Sequence, residues 1–495
     1  MTTNSILCSA LALTAAFAAA GGVNGVRLDT SPDRVESPLV VNMKRLGTLR
    51  PRPAGEIHGS NWTLGCETLD RSFANFGEYR EFIAPLGIKT IRLQAGWAKC
   101  EREKGRYDFG WLDDIIDYAR SQGLNVLLET DYGNPVYPGG GDWDLGAGFP
   151  VSEEGLAGWD RWVEAMATRY RGRVRDWAMW NEPDIGDKKK TPETIAAFNV
   201  RTAKTIRRLI PDARIAGLSL AMSNPEYLEK CLKAMGEDVK LFDWIIYHGY
   251  EPAPETSYKN VERLKVVLAK YNPRARMRQG ENGCPSEMTA KFALPNISWS
   301  EYSQAKWDMR RMLGDLGHDV ESSVFTICDF NHTGREINRK GLLRANENRE
   351  VIAVKRAYYA VQNVAGLFDD AWTRVASSGF CTPDASISTY EYVRKSGERM
   401  FVFWSHGTDR RYERPGDSFA TRPAAFSCTG GALAEPVWVD LLTGRVYEFP
   451  KKDMLAHSCG VTYLDVPVYD SPCVLTERRV ALPQTIFSRA TISRR

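Results

Sequence analysis

The sequence predicts an α/β protein: a (β/α)8 TIM barrel over residues 55–370, followed by a C-terminal β-sandwich over 371–480. Three observations carry this expectation. Between 55 and 370, short apolar runs alternate eight times with helical stretches, the rhythm of parallel strands joined by crossover helices. The first run lacks the glycine-rich phosphate turn that an open doubly wound sheet would favour. Beyond Asp370, runs such as Met400–Trp404, Val437–Val439 and Cys473–Thr476 are separated by Gly, Pro and Asp turns, without a convincing helix.

Taken in order, Gly55–Glu67 holds the first strand, Phe76–Leu86 reads as a helix and Ile88–Leu93 as strand two. Trp111–Gln122 is amphipathic and ends at Gly123, a helix-terminating residue. Asn125–Thr130 is strand three, and a Gly/Pro/aromatic loop runs from Tyr132 to Pro150. Trp159–Tyr170 is helical, and Asp176–Trp180 is strand four, a run apolar enough to be covered on both faces. Thr191-Pro192-Glu193-Thr194 supplies an N-cap, a proline at the first helical position and an acidic first turn, opening a helix to about Leu209. Arg214–Leu220 is strand five, Phe242–His248 strand six and Arg276–Glu281 strand seven, with a helix over Tyr258–Tyr271. Ser298–Leu316 is helical, Ser323–Cys328 is strand eight, and a helix over Glu350–Leu367 closes the barrel.

The flanks are read from composition. The apolar, alanine-rich run Ile6–Ala20 is too short to span a bilayer and looks like a secretory signal over residues 1–20, so the protein is expected to be secreted or periplasmic. Residues 21–54 read as a linker or wrapping segment, and 481–495 as a tail. Lys and Arg total 65 against 62 Asp and Glu, a balance of +3 that gives no reason to expect nucleic acid as a partner. Ten scattered Cys and six scattered His form no metal-ligand spacing, so no metal and no organic cofactor are expected. No transmembrane span is expected, and the oligomeric state is open.

In such a barrel, catalytic groups project from the C-terminal ends of strands. That rule shortlists Arg92, Glu129, Asp131, Asn181, Glu182, His248, Tyr250, Glu281 and Asp329. Glu182 follows strand four between Asn181 and Pro183. Glu281 ends strand seven in Gln279-Gly280-Glu281-Asn282-Gly283, where glycines leave the carboxylate uncovered. Strands four and seven face each other across the mouth, so two carboxylates can flank one bond, as glycosidic cleavage requires. Arg92 could keep Glu281 ionised, and Tyr250 could donate to it.

On Trp180-Asn181-Glu182-Pro183, Gly280-Glu281-Asn282, Arg92 and Tyr247-His248-Gly249-Tyr250, the chain resembles the clan A glycoside hydrolases, retaining enzymes on a (β/α)8 barrel. Within that clan it looks most similar to the family 39 group of xylosidases and relatives. The resemblance implies Glu182 as acid/base, Glu281 as nucleophile, Asn181 on the sugar 2-hydroxyl, and Arg92 and Tyr250 supporting the nucleophile. Two departures leave the sugar open. Strand three ends in Glu129-Thr130-Asp131-Tyr132 where many members present a His, and strand eight in Cys328-Asp329-Phe330-Asn331 where many present a Trp. Asp329 or Asn331 is expected to bind hydroxyls there, His248 to line the sugar site, and Trp97, Tyr132 and Trp143 to offer stacking faces.

The main expectation is a retaining glycosidase acting on β-glycosidic or α-L-arabinofuranosidic bonds, with its carboxyl groups about 5–5.5 Å apart. The partner expected on these residues is a carbohydrate substrate. Endo-action on polysaccharide and transglycosylation fit the same residues. A non-catalytic carbohydrate-binding protein is the reading from another class, and it would not require Glu182, Glu281 and Arg92 together.

Overall fold

A computed structural model describes residues 22–144, 148–185, 190–332, 336–407 and 413–483. Eight parallel strands form one sheet: β1 Trp62–Gly65, β2 Thr90–Gln94, β3 Asn125–Thr130, β4 Asp176–Met179, β5 Arg214–Leu220, β6 Trp244–Tyr247, β7 Arg276–Gln279 and β8 Ser322–Val324. Their order is 7-6-5-4-3-2-1-8, and parallel bridges Arg278↔Glu321 and Asn282↔Val324 join β7 to β8, closing the barrel. Strands buried on both faces are the reason these segments read as continuous apolar runs. The secretory-signal expectation falls on residues 1–20, outside the described residues.

The helices follow their sequence signals. α1 is Gly110–Ser121, and α2, Glu153–Tyr170, begins earlier than expected because the Ser152 side chain caps the Gly155 N–H. α3, Pro192–Leu209, starts at the expected Thr191 cap. α4, Pro225–Met235, was not expected, although Asn224 as cap and Pro225 at the first position form the same signal. α5 is Tyr258–Tyr271, α6 Glu301–Gly317 and α7 Arg356–Leu367. The stretch 76–86 is a set of single turns around Pro85 instead of one helix, since proline removes a donor from a continuous ladder. Glu350–Leu367 also divides: Val351–Val354 pairs with Leu343–Ala345 as a hairpin, and only then does α7 begin. No helix among the described residues is long and apolar enough to cross a membrane.

The C-terminal part is a seven-stranded sheet packed on a three-stranded one. The strand Arg399–Ser405 shows how the layers are divided. Met400, Val402 and Trp404 join the core shared with the barrel helices, while Phe401 and Phe403 join a second core with Phe426, Trp438 and Tyr463. Alternate residues of one strand thus serve two interfaces.

α6 lies between barrel and sheet and is buried on every side from Ser303 to Gly317. Two of its buried cations are paired: Arg310 forks onto Glu255 at 2.8 and 2.5 Å, and Lys306 Nζ donates to Asp470 Oδ1 at 2.7 Å and to the Gly416 and Ser418 carbonyls. The segment read as a linker contributes a strand of its own: Arg45–Thr48 pairs antiparallel with Arg445–Glu448 at the edge of the seven-stranded sheet. All nine described cysteines are free thiols, and all but Cys381 and Cys459 are buried.

Candidate active site

Backbone strain marks the end of β4. Trp180 and Glu182 have φ of 32° and 51°, and the Glu182 N–H donates to the Ser219 carbonyl at 2.9 Å. Ser219 lies in an irregular part of β5, where Leu218 and Ser219 also have positive φ and the register shifts between Gly217 and Leu220. Such conformations persist only where the surroundings over-determine them. Here they turn the Glu182 side chain into a cavity of about 460 Å³ at the barrel mouth.

Across the cavity stands Glu281. Its Oε1 accepts from Tyr250 Oη at 2.9 Å and its Oε2 from Arg92 Nη1 at 3.1 Å. His248 is fully buried, with Nδ1 2.8 Å from Glu182 Oε1 and 3.9 Å from Glu281 Oε2. One oxygen of each carboxylate and a His248 ring nitrogen lie within 4.8 Å of one another, a set that could also hold a metal ion.

Arg92 organises the floor. It is buried, and its Nε and Nη2 donate to Glu129 Oε2 at 2.9 and 2.6 Å. Nη2 also donates to Asn181 Oδ1 at 2.6 Å, and Nη1 to Glu67 Oε1 at 3.0 Å. Five donors in a rigid fork are what so many acceptors require. A single arginine thereby fixes Asn181 at one end of the cavity floor and Glu281 at the other.

The two facing carboxyls are driven apart electrostatically. Burial pushes Glu182 above its ordinary 4.5, and the negative charge of Glu281 adds to this against the hydrogen bond to His248. Burial also pushes Glu281 upward, but His248, Arg92 and the Tyr250 hydrogen bond more than offset it and hold that carboxyl below 4.5. Burial depresses the His248 imidazole, and the two glutamates outweigh this and raise it. Opposite shifts on neighbouring carboxyls divide them into an acid and a base.

The other expected residues separate into two groups. Tyr132 lines the cavity with Asn181, Glu182, Tyr250 and Glu281, but the Arg71 guanidinium lies 4.9 Å above its ring and Trp180 meets it edge-on. Arg92 and His248 stand behind the lining and act through it. Trp97 does not reach the cavity. The chain turns outward after β2 into the short helix Trp97–Cys100, and the indole stacks on Tyr137 and Trp162 and donates to Glu101. Trp143 is exposed but outside the lining.

Asp329 and Asn331 are also away from the cavity, because β8 ends at Val324, earlier than expected. Asp329 is buried between Lys355 Nζ at 2.6 Å and Arg339 Nη1 at 3.2 Å, and Asn331 Nδ2 donates to the Glu347 carbonyl. Phe325 and Phe330 take the wall of the cavity instead.

Several lining residues escaped the sequence reading. Glu67, just past β1, follows the same strand-end rule as Glu182. Burial and the neighbouring Glu281 and Glu129 push its carboxyl up to about 8 against the pull of Arg92. Gln94, the last residue of β2, accepts from Thr68 N and Arg71. Arg71, Phe292 and Lys340 sit on loops, where no periodicity marks them.

A (β/α)8 barrel carrying two facing glutamates, with an arginine and a tyrosine on one of them, is the class of fold and site found in glycoside hydrolases. Comparison with known proteins points the same way. The family model Glyco_hydro_42, described as beta-galactosidase, matches residues 76–137. Beta-galactosidase BgaA of Clostridium cellulovorans is 34% identical over 56 residues, 11% of this chain and 8% of that protein's length. Among solved structures, a family 39 glycoside hydrolase from Bacteroides cellulosilyticus superposes with a TM-score of 0.60 at 17% identity, over 86% of this chain and 81% of that one. The family 39 enzyme of Xanthomonas axonopodis gives 0.56 at 15% identity over 87% and 95%. A family 30 endoxylanase of Clostridium papyrosolvens gives 0.56 at 12% identity over 88% and 98%. The resemblance drawn from the strand-end motifs is therefore matched by the whole fold, barrel and β-domain together.

Proposed function

We propose that the protein is a retaining glycoside hydrolase. The observation that carries this is the approach of Glu182 and Glu281, with an oxygen of each within 4.8 Å of the other. That spacing suits direct attack on the sugar, whereas inversion needs roughly 6.5–9.5 Å between the carboxyls to admit a water.

The chemistry follows from the two environments. Glu182, whose proton is held more tightly because of burial, gives it to the glycosidic oxygen as the C1–O bond breaks. A Glu281 oxygen bonds to C1, forming the glycosyl-enzyme. Glu182, now ionised, takes a proton from water, whose oxygen attacks C1 and frees Glu281. His248 holds the Glu182 carboxyl in place, and Arg92 and Tyr250 hold Glu281 ionised and aimed. Asn181, held by Arg92, is placed beside Glu182 to meet the sugar 2-hydroxyl. Export from the cell belongs to the same proposal and rests on residues 6–20 alone.

The test is hydrolysis of aryl β-xyloside, β-galactoside, β-glucoside and α-arabinofuranoside by wild type and Glu281→Ala, with the first-formed anomer followed by proton NMR. Retention in the wild type with activity lost in the variant is expected, and an added acceptor alcohol reads out transglycosylation in the same tubes. An inverted first product would overturn the nucleophile role of Glu281. Activity unchanged in Glu281→Ala would favour a binding protein with a contaminating hydrolase.

A further inference from the structure

Lys340 follows the hairpin formed by Phe330–His332 and Glu336–Asn338 and reaches the cavity beside Tyr250. It is 2% exposed. The other two deeply buried lysines have carboxylate partners, Lys306 on Asp470 and Lys355 on Asp329. Among the described residues, no carboxylate lies within ion-pair distance of Lys340 Nζ. Two aromatic rings face it, with the centroids of Tyr250 and Phe292 at 5.8 and 5.9 Å. Faces at the outer limit of a cation–π contact offset only part of the loss of water around an ammonium.

The position of that ammonium gives it a use. Tyr250 donates to Glu281 Oε1, so Lys340 stands one aromatic ring from the carboxylate that faces the anomeric carbon. The substituents of a sugar ring seated on Glu281 extend over such a distance. Of the carboxyls on the cavity floor, Glu281 is engaged with Arg92 and Tyr250, and Glu67 with Arg92. The other cation of the lining, Arg71, is held by Asp70 and Gln94.

We propose that Lys340 is the seat of an anionic substituent on the glycone, the carboxylate of a uronic acid or a sulfate ester, so that the cavity takes an acidic sugar. This rests on the hydrolase reading above and names its substrate class. Burial lowers the Lys340 amine to about 8, which leaves it protonated at neutral pH, and an arriving anion would hold it so more firmly.

The experiment compares wild type, Lys340→Met and Lys340→Arg on 4-nitrophenyl β-glucuronide, β-glucoside 6-sulfate and the neutral β-glucoside. Calorimetric titration of glucuronate, glucose 6-sulfate and glucose into the same proteins runs in parallel. Wild type is expected to favour an acidic glycone, and whichever acid it favours identifies the source of the charge. Lys340→Met should lower kcat/KM on that acid by about 10–150-fold more than on the neutral glycoside, the loss of one charge-assisted hydrogen bond. Lys340→Arg should keep the preference.

A neutral glycoside cleaved while neither acid is cleaved or bound would overturn the proposal and leave the hydrolase reading standing. Equal losses on acidic and neutral glycosides in a folded Lys340→Met would overturn it too. Lys340-dependent binding of an acid with no glycoside cleaved would uphold the anion seat and sink the hydrolase reading. Wild-type titrations that detect no acid at all would remove the proposal.

Discussion

Glu67 and Glu281 draw on the same nitrogen: Arg92 Nη1 donates to Glu67 Oε1 at 3.0 Å and to Glu281 Oε2 at 3.1 Å. Two carboxylates at one donor repel each other, and the pair is relieved when one keeps its proton. Glu67 is the one that does, at about 8, leaving Glu281 as the anion.

This division has a signature in stability. The Glu67 carboxyl is raised from 4.5 to about 8 on folding, so the folded state binds that proton more tightly than the unfolded chain. Its contribution is complete below pH 4.5 and is lost as pH rises through about 8. Glu67→Gln, which copies the protonated form, should match the wild-type Tm near pH 5 and fall less between pH 5 and 9. Thermal melts across that range check it, and parallel slopes would refute the assignment of the proton.

Gly65 is where the Glu67 carboxyl rests. A Cβ on Gly65 would stand 2.4 Å from Glu67 Oε2. Gly65→Ala should therefore displace that carboxyl and cost about 1–3 kcal/mol by overpacking. Urea denaturation of Gly65→Ala and of the double variant with Glu67→Ala measures it, the second change restoring much of the loss.

Activity should follow a bell in pH. Glu281 must be ionised and lies below 4.5, so the acid limb falls there, whereas Glu182 must be protonated and lies above 4.5, so the basic limb falls higher. Glu182→Ala should lose about 10²–10⁴-fold on glycosides with poor leaving groups and much less on dinitrophenyl glycosides. Azide should restore part of its turnover, and the basic limb should disappear from its pH–rate profile.

The barrel is not expected to stand alone. Ending the chain at 370 removes Asp470, the Gly416 and Ser418 carbonyls and Trp404, uncovering α6 with Lys306 and the Arg310–Glu255 pair. Such a truncation should be insoluble or molten, which expression and near-ultraviolet circular dichroism would establish. A soluble, cooperatively melting 22–370 fragment would contradict the role given to the β-domain.

The barrel was legible because its strands are buried on both faces and its helices carry caps at Thr191 and Gly123, both local signals. The two glutamates that face the cavity were legible for a related reason, since Glu182 and Glu281 lie just past the ends of β4 and β7. What failed depended on where strands stop. Asp329 and Asn331 were assigned to the cavity by extending β8 to Cys328, and the strand ends at Val324. Trp97 was a plausible sugar platform until the chain turned it into the aromatic packing around Tyr137 and Trp162. Lys340 had no sequence signal at all, because what sets it apart is the lack of a carboxylate partner among the described residues, and partners are set by the tertiary fold.

The strand Arg45–Thr48 finds its partner at Arg445–Glu448, about 400 residues further along. A ribosome adding roughly 5–20 residues per second would need tens of seconds to deliver that partner. For that interval the segment is an unmated edge, while the sequence of the barrel between the two strands is being synthesised. A late stitch of the molecule is thus made by a strand synthesised before the barrel, and a nascent chain halted before residue 445 would carry that strand loose and available to a protease.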